Sequence, residues 1–126
     1  MFLAAMMVVC LAGCGADKNG EAVPDITEFK VGAIYISSKK ETAGYTFAHH
    51  NGIVTAMEDL NMDVATQLFI VDEIPEEKDL VLEAVDQLVS EGVHMIFGIS
   101  FGYMDAMEEA AAKYPDVIFS HATGYK

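Results

Sequence analysis

The sequence predicts an α/β protein built on a doubly wound parallel sheet. From Lys30 onward, short apolar runs alternate with amphipathic stretches of helical length, the signature of successive βαβ units. The apolar runs are nearly unbroken rather than alternating, as strands covered on both faces require. Right-handed crossovers leave few arrangements, and strand order 2-1-3-4 is the simplest that puts the more polar second strand at an edge.

The elements follow in order. Val31 to Ile36 reads as the first strand, and Tyr45 to Leu60 as a helix with Ala48, Gly52, Ala56 and Leu60 on one stripe. Val64 to Val71 reads as the second strand, and Thr66 and Gln67 within it are the reason for its edge placement. The next helix has Pro75 near its start, Glu76 and Glu77 where they complement the helix dipole, and Gly92 to close it. Leu80, Val81, Ala84, Val85, Leu88 and Val89 form its apolar stripe. Val93 to Ile99 reads as the third strand. Met104 to Tyr114 follows as a helix, with Met104, Met107, Ala111 and Tyr114 in register, and Pro115 stops it. Val117 to Phe119 begins a fourth strand, after which Ser120 to Lys126 carries no signal for another element.

Ahead of this α/β region, Met1 to Leu11 is apolar throughout and runs into Leu11-Ala12-Gly13-Cys14, a bacterial lipobox. An apolar stretch of roughly ten residues suits a signal-peptide core and falls well short of the ~20 that a spanning helix needs. Residues 1–13 are therefore expected to be a lipoprotein signal peptide. Cleavage leaves Cys14 to carry the lipid that holds the protein at the extracytoplasmic face of the cell membrane. No Lys or Arg precedes the apolar run, so this segment departs from the usual signal in lacking a basic start. Residues 14–29, rich in Gly, Asp, Glu and Asn with Pro24, read as the lipidated cysteine and a flexible tether.

Composition narrows the function. The formal net charge of −13 argues against binding a phosphate backbone, so no nucleic-acid partner is expected. The two cysteines, Cys10 and Cys14, both precede the α/β region, and no disulfide is expected in it. His49 and His50 are adjacent and point apart on a helix, while His94 and His121 add no ligand spacing. Neither a metal nor a cofactor is expected.

In strand order 2-1-3-4 the loops after strands one, three and four open on one edge, where ligands of such sheets bind beside the switch point. Those loops span Ser37 to Tyr45, Ser100 to Asp105 and His121 to Tyr125. Together with the start of the following helix, they hold the candidate ligand-binding residues Tyr45, Thr46, Ser100, Phe101, Tyr103, Asp105 and Thr123. An aromatic ring can stack on a flat base, a carboxylate can accept from an amine or hydroxyl, and helix N-termini offer free N–H donors.

Three motifs carry a family resemblance: Gly44-Tyr45-Thr46-Phe47-Ala48-His49, Ser100-Phe101-Gly102-Tyr103-Met104-Asp105, and His121-Ala122-Thr123-Gly124-Tyr125-Lys126. Over Lys30 to Lys126 the chain resembles the Bmp (basic membrane protein) family of ABC-transporter substrate-binding lipoproteins. Characterised members of that family include purine and purine-nucleoside binders. The resemblance implies a type I periplasmic-binding-protein lobe, a purine base or nucleoside as ligand, and an ABC permease as partner. It also implies that Tyr45 stacks on the base, where close relatives often carry Trp, and that Asp105 makes a polar contact. Thr42 and His50 stand where close relatives tend to carry Asp, so contacts made by those carboxylates are lost or replaced here. Family members continue through a hinge into a second lobe. Residues 30–126 are accordingly expected to be the N-terminal ligand-binding lobe, truncated before its counterpart.

Two other readings compete with import. Gly98-Ile99-Ser100-Phe101-Gly102 matches the nucleophile-elbow pattern, which would make Ser100 the nucleophile of an α/β hydrolase fragment. Against an enzyme, His121 alone is a poor candidate for the triad histidine. The residues from Ser37 to Gly44 hold one glycine and neither dinucleotide nor P-loop spacing. A surface lipoprotein that signals without transport is the second competitor.

Overall fold

The computed structural model describes residues 25–126; the segment expected to be a signal peptide, residues 1–13, and Cys14 lie outside the described residues. The elements are β1 (Val31–Tyr35), α1 (Tyr45–Asp59), the single-turn α2 (Val64–Gln67), β2 (Leu68–Val71), α3 (Lys78–Ser90), β3 (Met95–Ile99), a 3-10 turn (Phe101–Tyr103), α4 (Met104–Lys113) and β4 (Ile118–His121). All four strands are parallel in the order β2-β1-β3-β4, as the sequence predicts.

The period-2 alternation of strand side chains divides the core into two layers. Ile34 and Ile96 face α3 and α4, where they meet Val81, Val85, Leu88 and Met107. Val31, Ala33, Tyr35 and Ile99 face α1 and pack on Ile53 and Met57. Helix α4 sits close on β3 because Gly98 has no side chain: a Cβ there would lie 2.8 Å from the Met107 sulfur.

Two stretches differ from the sequence reading. Val64 to Val71 is not one strand, because its first half coils into α2. The Asp63 side chain caps that turn by accepting from Ala65 N–H at 3.0 Å and from the Thr66 hydroxyl at 2.8 Å. Local side-chain bonds of this kind compete with the strand. Gln67, now buried, donates to the carbonyls of Ile26 and Phe29 at 2.8 and 2.7 Å and accepts from Asp63 N–H. Strand β2 is at the edge as expected, although the two polar residues used to place it there lie outside it. Of the segment read as a tether, Ile26 and Phe29 pack against the α1-side core.

The second difference is the face that α1 buries. Thr46, Ile53 and Met57 point inward, while Ala48, Gly52, Ala56 and Leu60 stay exposed. With one long helix on this side, an apolar trough of about 570 Å³ opens among Ala48, Gly52 and Ala56 of α1, Phe97 and Ile99 of β3, and Ala122 just past β4.

Candidate functional site

The carboxyl edge of the sheet is bound into one surface by its loops. Ile74 N–H donates to Tyr35 O at 3.0 Å, joining the loop after β2 to the end of β1. Lys39 N–H donates to Asp72 at 2.7 Å, which ties the loop after β1 to the same place. The Tyr103 hydroxyl reaches Ile74 O, and Glu76 reaches Ser100 and Gly102, so the loop after β3 is held as well. His121, at the end of β4, approaches Ser100 O with Nε2 at 2.6 Å.

The exposed aromatic rings gather on this edge. Among the described residues the exposed large apolar side chains are Ile36, Tyr45, Leu60, Phe101, Ile118 and Tyr125, and the three aromatics all follow carboxyl ends of strands: Tyr45 as the first residue of α1, Phe101 in the 3-10 turn after β3, and Tyr125 past β4. Tyr45 is 40% exposed and begins α1 directly after Gly44, whose φ of +94° suits a residue without Cβ. Its ring lies 4.2 Å from that of His49. Phe101 is 56% exposed, with Tyr125 6.4 Å away between ring centroids. Asp105, in the first turn of α4, pairs with Lys126 at 2.6 Å. The Lys126 ammonium holds the Asp105 carboxyl below the usual carboxylate range. Thr123 is exposed in a left-handed conformation, φ +67°, which is uncommon for a β-branched residue.

Three expected site residues do not present themselves to a ligand. Tyr103 is fully buried in the α3/α4 core, with its hydroxyl satisfied by Ile74 O; that burial pushes its phenol well above the ordinary range. Thr46 is 1% exposed, since one step along α1 from Tyr45 turns the side chain about 100° toward the sheet. Ser100 is 5% exposed and its hydroxyl donates to Glu76 at 2.5 Å. The same bond bears on the hydrolase reading. The nucleophile would need a histidine on its hydroxyl, and His121 instead meets the Ser100 carbonyl. Sequence reasoning missed Glu76 as a member of this edge because a dipole-complementing glutamate and one that crosses to another loop look alike in a sequence. The trough beside α1 is lined by none of the expected site residues.

Comparison with known proteins accords with this geometry. Residues 29–126 match the family model Bmp, described as ABC transporter substrate-binding protein PnrA-like. A purine-binding protein of Brucella abortus is 36% identical over 121 residues, covering 96% of this chain and 33% of that protein. A Haloferax volcanii protein, TsgA13, whose name assigns it provisionally to glucose binding by an ABC transporter, is 44% identical over 52 residues, 41% of this chain and 12% of its own length. The chain thus spans about one third of the purine-binding relative. In structure it resembles an ABC transporter solute-binding protein from Conexibacter woesei (TM-score 0.57, 16% identity, 72% of this chain and 28% of that one). It also resembles a transcriptional activator of the comK gene from Bacillus halodurans (TM-score 0.60, 21% identity, 75% and 30%). At such identities the two structures speak for the fold alone. By the match over residues 29–126, the chain belongs to the Bmp family of PnrA-like ABC transporter substrate-binding proteins.

Proposed function

We propose that residues 30–126 form the N-terminal ligand-binding lobe of an extracytoplasmic ABC-importer protein that takes a purine base or nucleoside between two lobes. The observation that carries this reading is the set of exposed rings, Tyr45, Phe101 and Tyr125, on the carboxyl edge. A flat heterocycle stacks on such rings, and Asp105 beside them supplies an acceptor for a ring amine or a ribose hydroxyl. The name of the Brucella relative supports a purine, and lipidation at Cys14 supplies the membrane anchor. Binding and delivery to a permease, without catalysis, is the role of the chain; the engagement of Ser100 by Glu76 supports that part.

A single lobe leaves one side of the ligand in water, so this chain binds purines weakly. The reading is tested by amide chemical-shift titration with adenine, adenosine, inosine and ribose. Purines are expected to shift amides around Tyr45 and Phe101 at millimolar concentration, with ribose far weaker. Ribose shifting those amides as strongly as adenosine would favour the sugar assignment and overturn the purine one.

A further inference from the structure

Glu76 belongs to the loop between β2 and α3, yet its carboxylate acts on the loop between β3 and α4. One oxygen, Oε1, accepts both the Ser100 hydroxyl at 2.5 Å and the Gly102 N–H at 2.8 Å. The contact depends on glycine. A Cβ at position 102 would stand 2.5 Å from Glu76 Cδ and 2.7 Å from its Cβ, so a larger residue displaces the carboxylate. Two donors converging on one carboxylate oxygen form the kind of grip that a phosphate oxygen of a ligand would use. Here the chain's own anion fills it, and its covalent tether keeps it there.

The neighbouring charges reinforce the effect. Asp72 and Asp105 lie on the same edge, and Glu77 follows in sequence. Lys126 is engaged with Asp105 and Glu108, and Lys78 with Glu109. Among the described residues no lysine pairs with Glu76.

We propose that Glu76 is a specificity-determining residue that bars phosphorylated ligands from the carboxyl-edge site, which takes uncharged purine bases and nucleosides and rejects nucleotides. The identity of the base rests on the purine reading above; the charge filter rests on the donor geometry.

The test titrates the isotope-labelled chain with adenosine, adenosine 5′-monophosphate and inorganic phosphate, for the wild type, Glu76→Gln, Glu76→Ala and Glu77→Gln. In the wild type the monophosphate is expected to bind at least about tenfold more weakly than adenosine, and phosphate to leave the Gly102 amide unmoved. Glu76→Gln removes the charge while its amide oxygen still accepts both donors, and brings the two nucleosidic ligands within about threefold; Glu76→Ala also vacates the donors and lets phosphate shift Gly102. Glu77→Gln removes the same charge one residue away and keeps the wild-type pattern. Gly102→Ala, which displaces the carboxylate by steric contact, relaxes selectivity in the same sense should Glu76→Gln fold poorly. Monophosphate binding as tightly as adenosine in the wild type would overturn the proposal, as would equal behaviour of the two glutamine variants. Absence of adenosine shifts, with the phosphate response of Glu76→Ala intact, would overturn the purine reading and leave the charge filter standing.

Discussion

The two edges of this sheet use polar side chains for different ends. At the amino edge they close the structure on itself. Gln67 bonds two carbonyls of the segment leading into β1, Lys30 reaches Glu91 O at 2.9 Å, and the His94 ring accepts Lys30 N–H while the His94 backbone N–H donates to Lys30 O. At the carboxyl edge, rings and a carboxylate stay exposed on loops that are nonetheless fixed to one another. Substitutions at the first edge should therefore cost stability, and substitutions at the second should cost ligand.

The sharpest contrast comes from Gln67→Ala. It removes three hydrogen bonds from a buried group and is expected to lower unfolding free energy by about 3 kcal/mol, with purine-induced shifts at Tyr45 and Phe101 unchanged at temperatures where the variant is folded. Denaturant titration checks it. A variant that keeps its stability but loses the shifts would break the division between the edges.

Tyr45→Ala is the converse. With the ring 40% exposed, stability should change by less than about 0.5 kcal/mol, while adenosine binding weakens by about 1–3 kcal/mol of lost stacking. Equal affinity in the variant would remove Tyr45 from the site.

Tyr103→Phe lies between the two cases. It strands the Ile74 carbonyl and should cost about 1–2 kcal/mol, with little direct effect on binding because the ring is buried in the core. Loss of binding beyond the loss of folded protein would return Tyr103 to the ligand surface.

The smallest effect is one of pH. The Ser100 hydroxyl, followed by the Gly102 N–H, holds the Glu76 carboxyl below the ordinary glutamate range. A depressed folded value means that the tie contributes stability at neutral pH and loses it as pH falls through that value. The Gly102 amide should titrate there in the wild type and stay flat in Glu76→Gln. A midpoint at or above the ordinary glutamate range would contradict the tie.

Which features were legible in the sequence follows from where their causes lie. The α3 stripe is a periodic signal confined to its own segment and appears in the fold as read. The strand order follows from the crossover rule and also appears, although the polar residues used to put β2 at the edge lie outside it. Gln67 and Glu76 escaped because each bonds to a segment distant in sequence, which no local pattern records. Thr46 and Tyr103 were assigned to the site by position in a loop motif. Helical rotation and core packing then turned them inward. The stripe on α1 was real but faces the trough, since Ile53 and Met57, larger and four residues apart, bury more apolar surface against the sheet.

Under the proposed function, purines meet this chain at its carboxyl edge. Photolabelling with 8-azidoadenosine, followed by peptide mapping, tests it most directly. The label is expected on the segments holding Tyr45 and Phe101 to Tyr103, with protection by excess adenosine and none by ribose. Adenosine-protected label on Ala56 or Phe97 in the trough beside α1, or at Gln67 on the amino edge, would contradict it.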